Sequence, residues 1–310
     1  MMNKRIVVTG GTGFFGSHII DRLLAQGCSH VMIPQHSMYD LRKHGDVLVM
    51  MRTLCPNIVI HAAALCGGIG LNKAKPAELF YDNMIMGLLM MEEARKNGVE
   101  KFVQLGTVCE YPKFAKIPFQ EDDLWGGYPE ETNAPYGIAK KALLVQGQAY
   151  RQQYGFNVIH LLPVNLYGPG DNFNPDSSHV IPALIKKFAD AHQSGASEVN
   201  LWGTGKASRE FLYVEDAAEA VVSATELYDG AEPINIGTGS EIAISALTTM
   251  IADKIGYTGK IIFDVNKPDG QPRRCLDVQK AKQEFGFTAK TSLEIGLDKT
   301  LNWYYNGGHK

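Results

Sequence analysis

The stretch that most constrains this chain is Gly10-Gly-Thr-Gly13-Phe-Phe-Gly16. It lies between the β-branched run Arg5-Ile-Val-Val-Thr9 and a segment of helical periodicity, Ser17 to Gln26. Glycines permit a tight turn between strand and helix and let the backbone approach a pyrophosphate closely. The helix N-terminus adds free N–H groups and a partial positive charge. Gly10, Gly11, Thr12, Gly13, Phe14, Phe15 and Gly16 are therefore candidate contacts to a dinucleotide phosphate. The signature is weak in isolation and gains weight from its place at the start of a βαβ pattern.

That pattern continues. His30-Val-Met-Ile33, Ile58-Val-Ile60, Phe102-Val-Gln-Leu105 and Asn157 to Leu162 read as further strands, and Pro76 to Asn97 as a long helix. Strand–helix–strand units of about 30 residues predict a doubly wound parallel sheet of the Rossmann type with helices on both faces. The later half is less regular. Pro163 to Pro182 is rich in Pro, Gly, Asn and Asp, and loops this long usually belong to binding sites. Helices are expected at about 180–193, 215–228, 243–255 and 293–305. We expect a dinucleotide-binding domain over 1–165 and a smaller, mainly substrate-binding lobe over 166–310, with segments of the second half free to return to the sheet.

Composition narrows the function classes. Thirty Lys plus Arg against 33 Asp plus Glu leave no basic excess for nucleic acid or an anionic membrane. No apolar run approaches the roughly 20 residues of a membrane span. The apolar stretch after Arg5 ends at Gly10 and is too short for a signal peptide, so the expected location is cytoplasmic. Cys28, Cys55, Cys66, Cys109 and Cys275 form neither a disulfide framework nor a zinc pattern, so no metal is expected. Apart from Cys109, each is read as a small buried hydrophobe.

The cofactor stays open between NADP(H) and NAD(H). Positions 34 to 38 read Pro-Gln-His-Ser-Met, with no carboxylate for a ribose 2′-OH and no Arg for a 2′-phosphate. His36, Ser37, Arg42 and Lys43 are the groups near enough in sequence to hold that phosphate. A second constellation is Tyr136-Gly-Ile-Ala-Lys140 at the start of a helical stretch. Residues four apart share a helix face, and an ammonium there is expected to lower the tyrosine pKa so that the pair exchanges a proton with a substrate oxygen. Thr107 follows just past a strand end.

Together the glycine loop, Thr107 and the Tyr136/Lys140 pair resemble the extended short-chain dehydrogenase/reductases. Ala63-Ala-Leu-Cys-Gly-Gly-Ile69, Cys109-Glu-Tyr-Pro-Lys113, Asn165-Leu-Tyr-Gly-Pro169, Asp171-Asn-Phe173, Ser178-His-Val-Ile-Pro-Ala-Leu184, Trp202-Gly-Thr-Gly205, Arg209-Glu-Phe211 and Lys267-Pro-Asp-Gly-Gln-Pro-Arg273 look like the GDP-L-fucose synthase family. The match runs in order along nearly the whole chain. The resemblance implies 3,5-epimerisation of a GDP-4-keto-6-deoxy-mannose-type sugar followed by NADPH-dependent reduction at C4. It assigns Cys109 and His179 as base and acid, Tyr136 as proton donor to the new alkoxide, and Thr107 as the hydroxyl orienting the ketone. Leu105, Gly106, Pro163, Val164, Asn165, Leu166 and His179 would join Tyr136 and Lys140 around the cofactor. Lys187, Trp202, Arg209, Asp269 and Arg274 would contact the nucleotide sugar, and a homodimer would form through helices near 80–97 and 140–153.

The chain departs from the family pattern at several places. Thr12 and His36 stand where positive charges are usual, Leu65 and Cys66 replace Lys-Val, Val108 and Glu110 flank Cys109, and Lys187 replaces an Arg. The alternatives are a related nucleotide-sugar 4-reductase or 4-epimerase acting on another deoxysugar or a heptose, and a non-catalytic dinucleotide-sensing module.

Overall fold

The computed structural model describes residues 1–175, 177–267 and 269–308. The first half alternates β1 (Ile6–Thr9), α1 (Phe14–Ala25), β2 (Val31–Met32), α2 (His44–Leu54), β3 (Ile58–His61), α3 (Ile69–Ala74), α4 (Pro76–Lys96), β4 (Lys101–Leu105), α5 (Ala134–Tyr154) and β5 (Asn157–Pro163). The second half adds β6 (Asn165–Tyr167), α6 (Val180–Ser194), β7 (Glu198–Trp202), β8 (Ser208–Tyr213), α7 (Val214–Leu227), β9 (Ile234–Ile236), β10 (Glu241–Ala243), α8 (Ile244–Ile255), β11 (Lys260–Asp264), α9 (Gln279–Phe285) and α10 (Leu293–Trp303).

Six strands form an all-parallel sheet in the order β2-β1-β3-β4-β5-β9. Strands buried on both faces need apolar residues at every position. Ile6-Val-Val and Ile58-Val-Ile supply them. The pleat sends Ile6 and Val8 to a core shared with Ile19 and Leu23 of α1 and Val221 of α7, while Val7 packs with Met50 of α2 and Met90 of α4. The strand order reverses between β1 and β3, and in such sheets ligands bind outside the carboxyl ends at that switch point.

The chain does not leave this sheet for good at residue 165. After β6 and β7, α7 packs against α1, β9 pairs with β5, and α9 packs on β9. The lobe proper consists of the β10-β8-β6 sheet, the β11-β7 pair and a core of α6, α8 and α10 residues such as Phe188, Ile251 and Leu297. Helix α2 was not expected from the sequence. Cys28 and Cys275 are buried as expected, whereas Cys55 and Cys66 are exposed. Among the described residues no helix is long and apolar enough to cross a membrane.

Lobe and sheet are joined by a carboxylate with no exposed surface, Glu210 on β8. It accepts the backbone N–H groups of Leu276 at 2.6 Å, of Gly239 at 2.8 Å and of Thr238. The turn after β9 and the segment before α9 therefore both hang on one side chain. Replacing Glu210 by Ala strands these donors in the core. Buried unsatisfied groups cost about 1–3 kcal/mol each. We expect Glu210→Ala to lower unfolding stability by more than about 3 kcal/mol in urea titration, and a loss under about 1 kcal/mol would contradict this linkage.

Candidate active site

The glycine turn sits at the carboxyl end of β1 with no room for side chains. A methyl on Gly10 (φ 69°) would lie 2.7 Å from the Ala63 nitrogen, and one on Gly16 would lie 2.1 Å from the Gly10 carbonyl oxygen. A methyl on Gly11 would strike Ile20 and Ile33 at 2.6 and 2.8 Å, which draws the end of β2 against the turn. Helix α1 begins at Phe14, three residues earlier than its periodicity suggests. Its N-cap residue Gly13 makes no side-chain cap bond, so the first-turn N–H groups stay available to an anion. These features fit a dinucleotide pyrophosphate.

His36 lies exposed on the loop beyond β2. Arg42 is already paired there. Its guanidinium is committed to Asp40 at 2.9 and 3.0 Å and to Asp82 at 3.3 Å. Lys43 stands only 4.0 Å from Asp40 but is 70% exposed.

Thr107 ends the β4 crossing and caps the short 3-10 turn Val108–Glu110, its hydroxyl accepting the Cys109 N–H at 3.2 Å. Glu110 turns inward, away from the cleft. It is fully buried, accepts the Thr107 N–H at 2.8 Å, and meets His160 Nε2 at 3.2 Å. A side chain on Gly106 would overlap both His160 and Glu110. The Glu110–His160 pair was invisible in the sequence, because β5 brings the two residues together from 50 positions apart.

Helix α5 presses its first turn onto this structure. A methyl on Gly137 would come within 2.1 Å of the Cys109 carbonyl, so Tyr136 is set directly beside the Thr107–Cys109 turn. Lys140 points down to the sheet, its Nζ donating to the Leu105 carbonyl at 3.1 Å.

The expected lowering of the Tyr136 pKa is not found. Desolvation, followed by the charges of Cys66, Cys109 and Glu110, pushes the phenol well above its ordinary value, and a hydrogen bond with the Thr107 hydroxyl opposes this only in part. Burial also acts on the ammonium, bringing Lys140 down to about 8. The phenol is thus held protonated, as a proton donor must be.

Cys66, read from sequence as a core residue, belongs to this cleft. The residue is open to solvent on one side, but the protein crowded around its thiol raises the pKa, ahead of the opposing Lys140 charge and the smaller effects of Asp171 and Cys109. Its loop is tethered across the cleft by the Gly68 N–H donating to the Ser177 carbonyl at 3.1 Å. That contact brings up the segment carrying His179, the residue before α6. The His179 side chain makes no capping bond, and surrounding atoms lower its pKa by desolvation. Pro163, Val164, Asn165 and Leu166 line the carboxyl end of β5 and the start of β6. They are held by the Val164 N–H to the Ile236 carbonyl at 3.0 Å and by Asn165 Nδ2 to the Glu210 carbonyl at 2.8 Å.

On the lobe side, Arg209 donates to the carbonyls of Ser208 at 2.7 Å and Asp269 at 3.2 Å. Burial and then the neighbouring Arg274 charge bring Arg209 down to about 10. Two close guanidiniums with largely neutral partners favour an anion such as a diphosphate. Asp269 spends both carboxylate oxygens on Thr204, at 2.7 Å each, and so shapes the Trp202–Gly205 loop. Trp202 is 59% exposed, with the Lys267 ammonium 5.7 Å from its ring centre. Lys187 is exposed on α6, with its Nζ donating to the Asn200 carbonyl at 3.2 Å. Pro268 of the Lys267–Arg273 motif lies outside the described residues.

Residues 6–237 match the model of the NAD dependent epimerase/dehydratase family. The chain belongs to that family. It is 42% identical over 302 residues to GDP-L-fucose synthase 1 of Arabidopsis thaliana, covering 97% of this chain and 93% of the relative. Among solved structures it resembles a GDP-L-fucose synthetase from Naegleria fowleri bound to NADP (TM-score 0.90, 28% identity, 100% and 97% coverage). It also resembles a GDP-6-OMe-4-keto-L-xylo-heptose reductase from C. jejuni (TM-score 0.93, 27% identity, 99% of both chains).

Family membership turns the Lys140 environment into a pH expectation. Its folded pKa is depressed, so the ammonium is present below about 8 and lost above it. Because kcat/KM reports the free enzyme, the value for reduction should fall as pH rises through about 8, and Lys140→Arg should carry that limb upward. A flat wild-type profile between pH 7 and 9.5 would refute the assignment.

Proposed function

We propose that this cleft epimerises a GDP-linked 4-keto-6-deoxy-mannose-type sugar at C3 and C5 and then reduces it at C4, giving GDP-L-fucose or a close relative. The cofactor is NADP(H), and the protein is an epimerase/reductase. The observation that carries the reading is the packing of Gly137 on Cys109, which puts a thiol, a hydroxyl and a protonated phenol beside one another. A C4 ketone acidifies the C3 and C5 protons, so base, acid and reductant can all use the same carbonyl.

In this reading Thr107 and Tyr136 hold the ketone oxygen. Cys109 Sγ takes a proton from the carbon next to the ketone, and His179 returns one to the opposite face. Desolvation lowers the His179 pKa, so the imidazolium is disfavoured in the free cleft and gives up its proton easily once formed. Bound NADPH supplies the hydride for C4. Tyr136 gives its proton to the resulting alkoxide, and Lys140 steadies the phenolate left behind. Arg209 and Arg274 hold the diphosphate, and Trp202 offers an apolar face beside them.

Tyr136→Phe should abolish reduction while leaving NADPH affinity within about twofold, since only the phenolic hydroxyl is lost. Cys109→Ser and His179→Gln should suppress deuterium uptake from D2O at C3 and C5 more than they slow reduction. Unchanged exchange in both variants would leave the two residues structural. The fold likeness to a heptose reductase favours one second reading, C4 reduction without epimerisation. Wild-type protein that reduces the keto-sugar with no deuterium uptake would establish it.

We further propose a cytoplasmic homodimer. All five cysteines are unpaired, as suits a reducing compartment. Phe80, Tyr81 and Leu88 of α4 and Val145 of α5 expose apolar surface, and a cavity of about 430 Å³ lies beside them, lined in part by Pro76, Phe80, Tyr128 and Ile138. Sedimentation equilibrium should give twice the 34.1 kDa chain mass, and Leu88→Glu should shift it toward monomer. A wild-type species of single-chain mass would refute the dimer.

A further inference from the structure

Asp171 is a buried carboxyl that the scheme above does not use. Only 7% of it is exposed. Its Oδ1 accepts the Asn172 N–H at 2.7 Å, whereas Oδ2 is buried without a hydrogen-bond partner. Such an atom is costly to bury and rare in native proteins.

The loop that carries Asp171 is firmly built. The Pro169 carbonyl lies 2.9 Å from His18 Nε2 of α1, and Asn172 Nδ2 donates to Ser177 Oγ at 2.8 Å. Phe173 packs on Trp303 and Tyr304, with ring centres 5.8 and 4.9 Å apart. The carboxyl cannot swing out to water without dismantling these contacts. On the other side its charge reaches the Cys66 thiol, which in turn is felt by Tyr136 and Lys140. The orphan oxygen therefore lies within electrostatic reach of the cleft, through Cys66. Asn72 Oδ1 is a second unpartnered buried acceptor, on a side chain whose amide holds the Gly67 and Gly68 carbonyls of the Cys66 loop at 2.9 and 3.0 Å.

We propose that Asp171 is a ligand-binding residue whose Oδ2 accepts a hydrogen bond from a sugar hydroxyl, either on the glycosyl group of the nucleotide sugar or on a cofactor ribose. The assignment rests on the reading of the cleft as a site for those two ligands. A hydroxyl is the fitting donor, because a phosphate would be repelled by the carboxylate.

Burial alone holds the Asp171 carboxyl up at about 7, and a hydroxyl donor would stabilise its charged form. Binding should then tighten as pH rises from 6 to 8. Among the described residues, the titratable groups that face the Asp171 loop are Cys66 on the loop after β3 and His18 on α1, with Lys140 and Cys109 beyond Cys66.

The test is calorimetric titration of the full chain, wild type and Asp171→Asn, with NADPH, with GDP-L-fucose and with GDP. The variant keeps the shape of the side chain and removes the charge. A bond to a charged group corresponds to roughly tenfold or more in affinity. Loss of that size for GDP-L-fucose, with GDP and NADPH unchanged, places the bond on the glycosyl group. Loss for NADPH alone places it on the ribose. In either case the pH dependence should vanish with the charge. Equal affinities of wild type and variant for all three ligands would overturn the assignment, as would an equal loss for all three. Wild type that binds neither NADPH nor GDP-L-fucose would instead overturn the reading of the cleft, and the assignment with it.

Discussion

The close backbone approach at the carboxyl end of β1 underlies the rest of the structure. Gly10 lies against Ala63, and Gly16 lies against Gly10, at distances that leave no space for a side-chain carbon. The contact seats the start of α1 over the sheet edge and holds the loop after β3 beside it. Two loops that diverge at the switch point thereby become the two sides of one crevice. Thr9 reinforces the arrangement, its hydroxyl lying 2.8 Å from His61 Nδ1 and accepting the Ala63 N–H at 3.3 Å.

Buried carboxylates then take over where the ladders end. Glu110 satisfies the Thr107 N–H at the end of β4, and Glu210 satisfies three N–H groups in turns that join lobe to sheet. The Thr107–Glu110 turn carries site residues, and all of these turns need their donors paired away from water. In both cases glycine makes the space: side chains on Gly106 and Gly237 would overlap the two carboxylates. The rigidity of the Thr107–Cys109 turn thus comes from an acid beneath it that takes no part in the chemistry proposed above.

Desolvation sets the protonation of the cleft. It raises Tyr136, lowers Lys140 to about 8 and lowers His179, each time disfavouring the charged form. In the proposed reduction the phenol keeps its proton until the more basic alkoxide takes it, and Lys140 steadies the phenolate only while it is charged, below about pH 8. A ligand that brings its own charges and hydroxyls would change these balances, so pH profiles of free and bound protein should differ.

The sequence by itself determined the parallel sheet, the glycine turn after β1 and the kinship. These depend on local signals: β-branched runs, helical periodicity, and glycines at fixed spacing. Helices α4, α6, α7, α8 and α10 begin and end close to where periodicity and turn residues predict them. Tertiary structure alone decided which way Glu110 points, that Cys66 faces the cleft, that Arg42 is already paired with Asp40, and that α7 and β9 return to the sheet after residue 165. It also overturned the expectation of a lowered Tyr136 pKa, because spacing along a helix fixes which side chains are neighbours but carries no information on burial. Those outcomes depend on residues far apart in the chain, such as His160 under Glu110 and Leu276 under Glu210, and on how much water the packed elements exclude. Neither is encoded in any local pattern; both follow only once the sheet edge, the helix α5 and the lobe are pressed together.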